Sequence, residues 1–361
     1  MAKNDLFINR KSEIENLTYG ISNLQDYILI APRRYGKTSL VHKVLTSLES
    51  NTNFIIIDID LMTYSGGSIK SVAERIIEKC LNSIGLMGKL RLLLKQISLS
   101  INIKLKYQDL ELEPLMQLFN LAGKDDEWKL LEEALQLPEK IAITKKKKVV
   151  VFYDEISEIY HHGKRIENVF RSVIQRHKNV SYLFAGSQES VMTQMFVDPK
   201  APFYRFGELM FLKPLTQDDV ATAIQEFFPS MPFDVFSEVI NITAYHPYYV
   251  SLIIKHFKQN NMYYDSLDNF YDYINKVLII QEYSYLELQV LKLKDISHAL
   301  DIVRVIAMGL NPYEEFRSIA RPNLFKIIKW LETIGYIRIN GRVSYNLVDP
   351  LLKYYLAQYE Y

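Results

Sequence analysis

The chain has 361 residues and a formal net charge of +1, with 48% hydrophobic and 24% charged residues. That length exceeds one ordinary core, and that balance excludes a disordered or fibrous chain. Near neutrality leaves nucleic-acid contact to a local basic face, and a single cysteine, Cys80, excludes an intrachain disulfide framework or a Cys-rich zinc site.

In chain order, Phe7-Ile8-Asn9-Arg10 leads into a helical pattern that includes Ile14 and Leu17. Tyr27–Ile30 reads as a buried strand running into a turn at Ala31-Pro32, and a helix follows from Lys37 with Leu40, Val41, Val44, Leu45 and Leu48 on one face. Phe54–Ile59 is a second strand and Ile69–Ile84 a second amphipathic helix. Strands alternating with helices predict a parallel sheet covered on both faces. Residues 85–145 break the alternation and read as an insertion, with Ile97, Leu99, Ile101, Ile103 and Leu105 at the period of a half-exposed strand. The lysines Lys145–Lys148 read as the solvated approach to the next strand. Val149–Phe152, Val180–Ala185 and Leu209–Leu212 are further strands, with a helix over Ile166–His177. From Thr216 the pattern stays helical. A helix around Leu324–Ile334 then precedes Tyr336–Ile339, a turn at Asn340-Gly341, and Val343–Leu347, which together describe a winged helix-turn-helix.

Ala31-Pro32-Arg33-Arg34-Tyr35-Gly36-Lys37-Thr38 fits the P-loop pattern except at its first position. A loop between strand and helix lets backbone N–H groups and the helix N-terminus wrap phosphates, with Ser39 continuing the helix. Lys37 is expected to reach the β- and γ-phosphates of ATP and Thr38 to ligate Mg²⁺. Alanine at position 31 is harmless if its φ is negative and strained if φ is positive. Asp154-Glu155 ends a buried strand, where open α/β sheets place ligand chemistry. Asp154 is expected to hold Mg²⁺, and Glu155 to orient and deprotonate the attacking water. Ser187, at the end of the next strand, is positioned to sense the γ-phosphate or that water. Arg205 is a candidate arginine finger, a role that contributes about 10³–10⁵ in rate. Arg171 and Arg176 are weaker candidates for that role. His161, His162 and His177 lack partners at metal-ligand spacing.

These residues resemble the archaeal-type P-loop ATPases of the AAA+/STAND group, over nearly the whole chain. Phe7, Asn9, Arg10 and Glu13 are similar to that family's entry motif beside the adenine. Thr243…His246-Pro247-Tyr248-Tyr249 resembles the lid segment that lies against the nucleotide, although Ala244-Tyr245 replaces the glycine there. Tyr345…Asp349-Pro350-Leu351 resembles the closing motif of the winged helix. The resemblance implies an α/β P-loop NTPase core at 1–215, a helical lid at 216–285 and a winged helix at 286–361. It also implies a sheet order of 2-3-4-1-5 and sites for ATP or ADP.

Two functions follow. One is a nucleotide-dependent switch in which lid and winged helix move with Mg-dependent ATP hydrolysis and a protein partner receives the signal. The other is a DNA-associated ATPase whose Arg321, Lys326, Lys329, Arg338 and Arg342 contact duplex phosphates. A small-molecule phosphotransferase fits less well. No secretory signal opens the chain and no apolar run reaches membrane-spanning length, so a cytoplasmic protein without membrane contact is expected. Whether subunits assemble, and whether Arg205 acts within one chain or across two, stays open.

Overall fold

A computed structural model describes residues 8–62, 67–85, 106–107, 110–111, 127–340 and 344–358. Phe7, the alternating stretch 97–105, Gly341, Arg342 and Val343 lie outside the described residues. The central sheet has five strands: β1 (Tyr27–Ile30), β2 (Phe54–Asp60), β3 (Lys148–Asp154), β4 (Val180–Gly186) and β5 (Glu208–Phe211). They are all parallel, in the order β2-β3-β4-β1-β5, the arrangement that the resemblance implies.

Burial on both faces explains why the inner strands read as continuous apolar runs, and β4 is buried at every position. Side chains still alternate between two cores. Val149, Val151 and Tyr153 of β3 enter one, while Val150 and Phe152 enter the other. Helices α1 (Lys11–Ser22) and α2 (Lys37–Glu49) cover the second of these faces. Helices α3 (Ile69–Ser83), α4 (Glu127–Lys145), α5 (Lys164–Ile174) and α6 (Glu189–Phe196) cover the first.

Helix α4 falls in the stretch expected to be an insertion, yet Leu130, Leu131, Leu135 and Ile141 join the same core as α3 and β3. Residues 127–145 are thus a layer of the sheet's core. The helix contains Pro138, whose missing N–H removes one internal hydrogen bond.

A third core runs from Leu215 to Leu356. It is built from α7 (Gln217–Phe227), α8 (Phe233–Thr243), α9 (Pro247–Phe257), α10 (Leu267–Tyr273), α11 (Ile279–Lys294), α12 (Ala299–Ala307), α13 (Pro312–Glu315) and α14 (Arg321–Thr333). An antiparallel pair, β6 (Ile337–Asn340) and β7 (Ser344–Leu347), and the last helix α15 (Pro350–Gln358) complete it. Thr216 starts the segment with a capping box, its side chain accepting from Asp219 N–H while Asp219 accepts in return. The expected boundary at 285/286 falls inside α11. Among the described residues no helix is long and apolar enough to cross a membrane.

At the amino-terminal edge of the sheet, Asp26 accepts a hydrogen bond from Tyr182 N–H at 2.7 Å. Burial pushes its carboxyl up to about 6, with the Tyr182 N–H and Arg171 pulling the other way. A folded-state value above the ordinary 3.8 means the native state binds the proton more tightly, so stability falls as pH rises from about 4 to 6. Asp26→Asn should remove that slope and raise stability at pH 7 by on the order of 1–2 kcal/mol, allowing for partial exposure. Urea denaturation at pH 4 and pH 7 measures both.

Candidate functional site

Parallel strands put everything that follows β1, β3 and β4 on one edge, and β4 lies between the other two. The loop after β1 curls through left-handed residues at Arg34 (φ 64°) and Gly36 (φ 81°) before α2 begins at Lys37. Glycine carries the second of these without a Cβ penalty. Ala31 is not among the positive-φ residues and is fully buried, so its methyl group is accommodated without strain.

Lys37 is 5% exposed, and its Nζ donates to the carbonyls of Ala31 (2.9 Å) and Pro32 (3.1 Å). Burial lowers its pKa, against the pull of Glu155 and Asp154. Thr38 Oγ1 donates to Asp154 Oδ2 at 2.6 Å, which joins the start of α2 to the end of β3. Burial raises the Asp154 pKa, the Thr38 bond lowers it and the Glu155 charge raises it again. Glu155 is held in the left-handed region (φ 52°), a strained position for a residue with a side chain. Its Oε2 accepts from Ser187 N–H at 2.9 Å and Ser187 Oγ at 2.8 Å. Lys37, Thr38, Asp154, Glu155 and Ser187 thus form one constellation over three adjacent strand ends.

The rest of the loop turns toward the helical segment. Pro32 is buried and Arg33 is exposed, while Ser39 is exposed in the first turn of α2. Tyr35 is 6% exposed and meets the His246 ring edge-on at 4.6 Å. His246 precedes Pro247, the first residue of α9. Burial, with the Arg34 charge, pushes His246 down to about 3, so its ring is neutral. Its Nδ1 is buried and has no hydrogen-bond partner among the described residues.

Arg34 belongs to the loop whose backbone is expected to wrap the phosphates, and its side chain reaches into the helical segment. Its Nη1 donates to Glu282 Oε2 at 2.6 Å, and its guanidinium lies over the rings of Tyr285 (3.6 Å) and Tyr248 (4.5 Å). Tyr248 OH donates to the same carboxylate at 2.7 Å. Tyr285 and Tyr249 hydroxyls donate to Asp349, which also accepts from the N–H groups of Leu351 and Leu352 at the start of α15. This cage joins the phosphate loop to both α11 and the last helix. Asn9 and Arg10 lie at the junction with the helical segment, with the Asn9 side chain on Asp219 and Arg10 Nη2 donating to Lys213 O at 2.6 Å.

Arg205 is not brought to this constellation. It precedes β5, whose Glu208 pairs with Tyr27 at the amino end of β1, whereas the phosphate loop leaves the carboxyl end. The separation is on the order of 10 Å of strand. Arg205 is exposed, and its guanidinium lies 5.3 Å from the Tyr204 ring. Arg171, over the Phe206 ring at 4.7 Å, lies at that same edge.

No family model and no curated protein matches the sequence. Solved structures do match the fold over nearly the whole chain. A Walker-type ATPase of Pyrococcus abyssi superposes with a TM-score of 0.64 at 18% identity, covering 97% of this chain and 96% of that one. The ORC2 protein of Aeropyrum pernix, in ADPNP–ADP complexes, gives 0.60 at 13% identity, covering 99% and 94%. The ORC1 protein of Aeropyrum pernix, in complex with DNA, gives 0.50 at 13% identity, covering 98% and 94%. The chain therefore has the fold of archaeal P-loop ATPases of the AAA+ type.

Glu282 is 5% exposed, so removing its cation leaves a buried carboxylate with, among the described residues, only Tyr248 as hydrogen-bond partner. Arg34→Gln should destabilise the protein by about 3 kcal/mol. Adding Glu282→Gln should recover most of that loss, because no buried charge is then left alone. A double-mutant cycle in urea measures the coupling.

Proposed function

We propose that the chain binds Mg·ATP at 31–38 and hydrolyses it to ADP and phosphate, as a nucleotide-dependent switch. The observation that carries this reading is the convergence of Lys37, Thr38–Asp154 and Glu155–Ser187 at three adjacent strand ends. The fit to a phosphate group is physical. A buried ammonium whose acceptors among the described residues are its own loop's carbonyls is a cation ready to turn outward to an anion. Thr38 and Asp154 are oxygen donors of the kind that hold Mg²⁺, and a bound Mg²⁺ would neutralise charge on the β- and γ-phosphates.

In this reading Lys37 holds the phosphates and Glu155 orients and deprotonates a water. Ser187, bonded to the Glu155 carboxylate, keeps that base aimed and releases it when a γ-phosphate competes for the hydroxyl. Tyr35, His246 and Pro247 form the wall shared with the helical segment, and Asn9 and Arg10 fix the junction at Lys213–Thr216. Residues 1–215 act as the core, 216–285 as the lid and 286–361 as a winged helix. Arg205 would serve the phosphate site of a neighbouring subunit.

A second reading, DNA association, draws on the exposed Arg321 and Lys326 of α14 and on the likeness to a protein solved with DNA. Against it, two further basic side chains are already paired: Arg338 of β6 with Glu189 at 2.9 Å and Lys329 of α14 with Glu332 at 2.5 Å.

Lys37→Ala should abolish ATP binding, read by calorimetry; undiminished binding would refute the phosphate site. Glu155→Gln should keep ATP affinity while turnover falls about 10²–10⁴-fold, the range of a lost general base. Turnover of the parent protein with duplex DNA at two salt concentrations separates the two readings. The switch reading expects no effect of DNA, whereas stimulation that fades with salt supports the DNA-associated one.

A further inference from the structure

The lysines that lead into β3 line a cleft at the amino edge of the sheet, the edge opposite the phosphate loop. The cleft measures about 380 Å³, and its walls include Asn51, Asn53, Phe54, Lys146, Lys147 and Lys148. Strand β3 runs between the two edges, from Lys148 to Asp154, so about 20 Å of strand separates the cleft from Thr38 and Asp154. None of the lining residues is acidic, and none is an arginine. Among the described residues, Lys146, Lys147 and Lys148 have no ion pair.

Lys146 closes α4 in the left-handed region (φ 52°), with its N–H on Ile143 O at 3.3 Å and the Lys147 N–H on Ala142 O at 3.1 Å. Glycine makes that closure without strain, yet a long cationic side chain occupies it. Across the cleft, Asn51 Oδ1 accepts from Asn53 N–H at 3.0 Å, and the Asn51 amide nitrogen has no acceptor among the described residues. Lys148 is anchored, its Nζ donating to Ser22 O at 2.6 Å and lying 5.9 Å from the Phe54 ring. A lysine so placed offsets the dipole of α1, which ends at Ser22. Lys146 and Lys147 are exposed, and their ammonium groups have no such acceptor among the described residues.

We propose that this cleft binds a small anion carrying two or more phosphate groups, at a site separate from the phosphate loop. The chemistry of the walls selects that class. Ammonium groups act as point charges and suit a tetrahedral phosphate, whereas a planar carboxylate is better matched by the arginine fork that the cleft lacks. One phosphate group carries about −1.5 to −2 at pH 7, so three ammonium groups outweigh it and call for a second. The volume is that of a small-molecule pocket, not of a groove that tracks a strand of nucleic acid. The inference stands apart from the ATP-site reading.

The test takes pyrophosphate as probe and calorimetry as readout, in the full chain carrying Lys37→Ala so that the phosphate loop does not contribute. That protein should bind pyrophosphate, and the affinity should fall as salt rises. Adding Lys146→Gln and Lys147→Gln together should weaken binding about 10- to 100-fold, the loss of two charge-assisted contacts. Lys146→Gly separates binding from a structural role. It should hold or raise Tm, because glycine relieves the left-handed strain, while affinity falls about 3- to 10-fold. Raised Tm with undiminished affinity means that the lysine only closes the helix, and that result overturns the proposal. A Lys37→Ala protein that binds no pyrophosphate also overturns it, as does binding that the cleft variants leave unchanged. If the variants lose affinity for a single-stranded oligonucleotide and pyrophosphate does not bind, the lysines serve a nucleic-acid backbone and the proposal falls. Should Lys37→Ala fail to fold, the parent protein saturated with ADP takes its place. A parent that binds no ADP refutes the ATP-site reading and leaves this test intact.

Discussion

Parallel pairing is the constraint on which the rest of the molecule depends. With all five strands running the same way, the loops after β1, β3 and β4 must emerge on one edge. The order then puts β4 between the strands that carry Lys37 and Glu155. Ser187 can therefore meet Glu155 without distortion of either strand. The same constraint sends whatever precedes a strand to the far edge, which is why Arg205 and the phosphate loop of one chain stand apart. Handedness of the crossovers and burial of both faces follow from that arrangement, since each parallel connection must pass over the sheet as a helix.

Charge is handled differently at the two ends of the phosphate loop. At Lys37 the cation is buried among carbonyls and carboxylates and has no ion pair of its own at 4 Å or less among the described residues. At Arg34 the cation is closed off by a carboxylate and two aromatic faces. The first arrangement leaves a group able to change partner, and the second fixes the loop to the helices behind it. His246, neutral through burial, fills the space between them without adding a third charge.

Much of this was legible in the sequence because the relevant signals are local. Buried strands read as apolar runs, Gly36-Lys37-Thr38 lies between a strand and a helix, and Asp154-Glu155 ends a strand. The resemblance supplied the strand order, which no periodicity contains. What escaped is non-local or disguised. Arg34 and Glu282 are 248 positions apart, and nothing in the spacing of either announces the other. Arg338 reads as a basic residue of a hairpin, and only the fold shows Glu189 opposite it. Helical stretches before Lys145 were legible, but that Leu130, Leu131, Leu135 and Ile141 join the core of the sheet was not. Arg205 carried the right residue type in the right chain order, but order along the chain does not say which edge of a sheet a residue occupies.

The single core that runs from Leu215 to Leu356 has a mechanical consequence. Tightly packed interiors transmit displacement instead of absorbing it. Everything beyond the Lys213–Thr216 junction is therefore packed as one body, and hydrogen bonds tie it to the sheet and its helices: Arg10 on Lys213, Arg34 on Glu282, and α6 on the end of α14 and on β6 through Ser190–Thr333 and Glu189–Arg338. A strain at any one of these ties would be felt at the others.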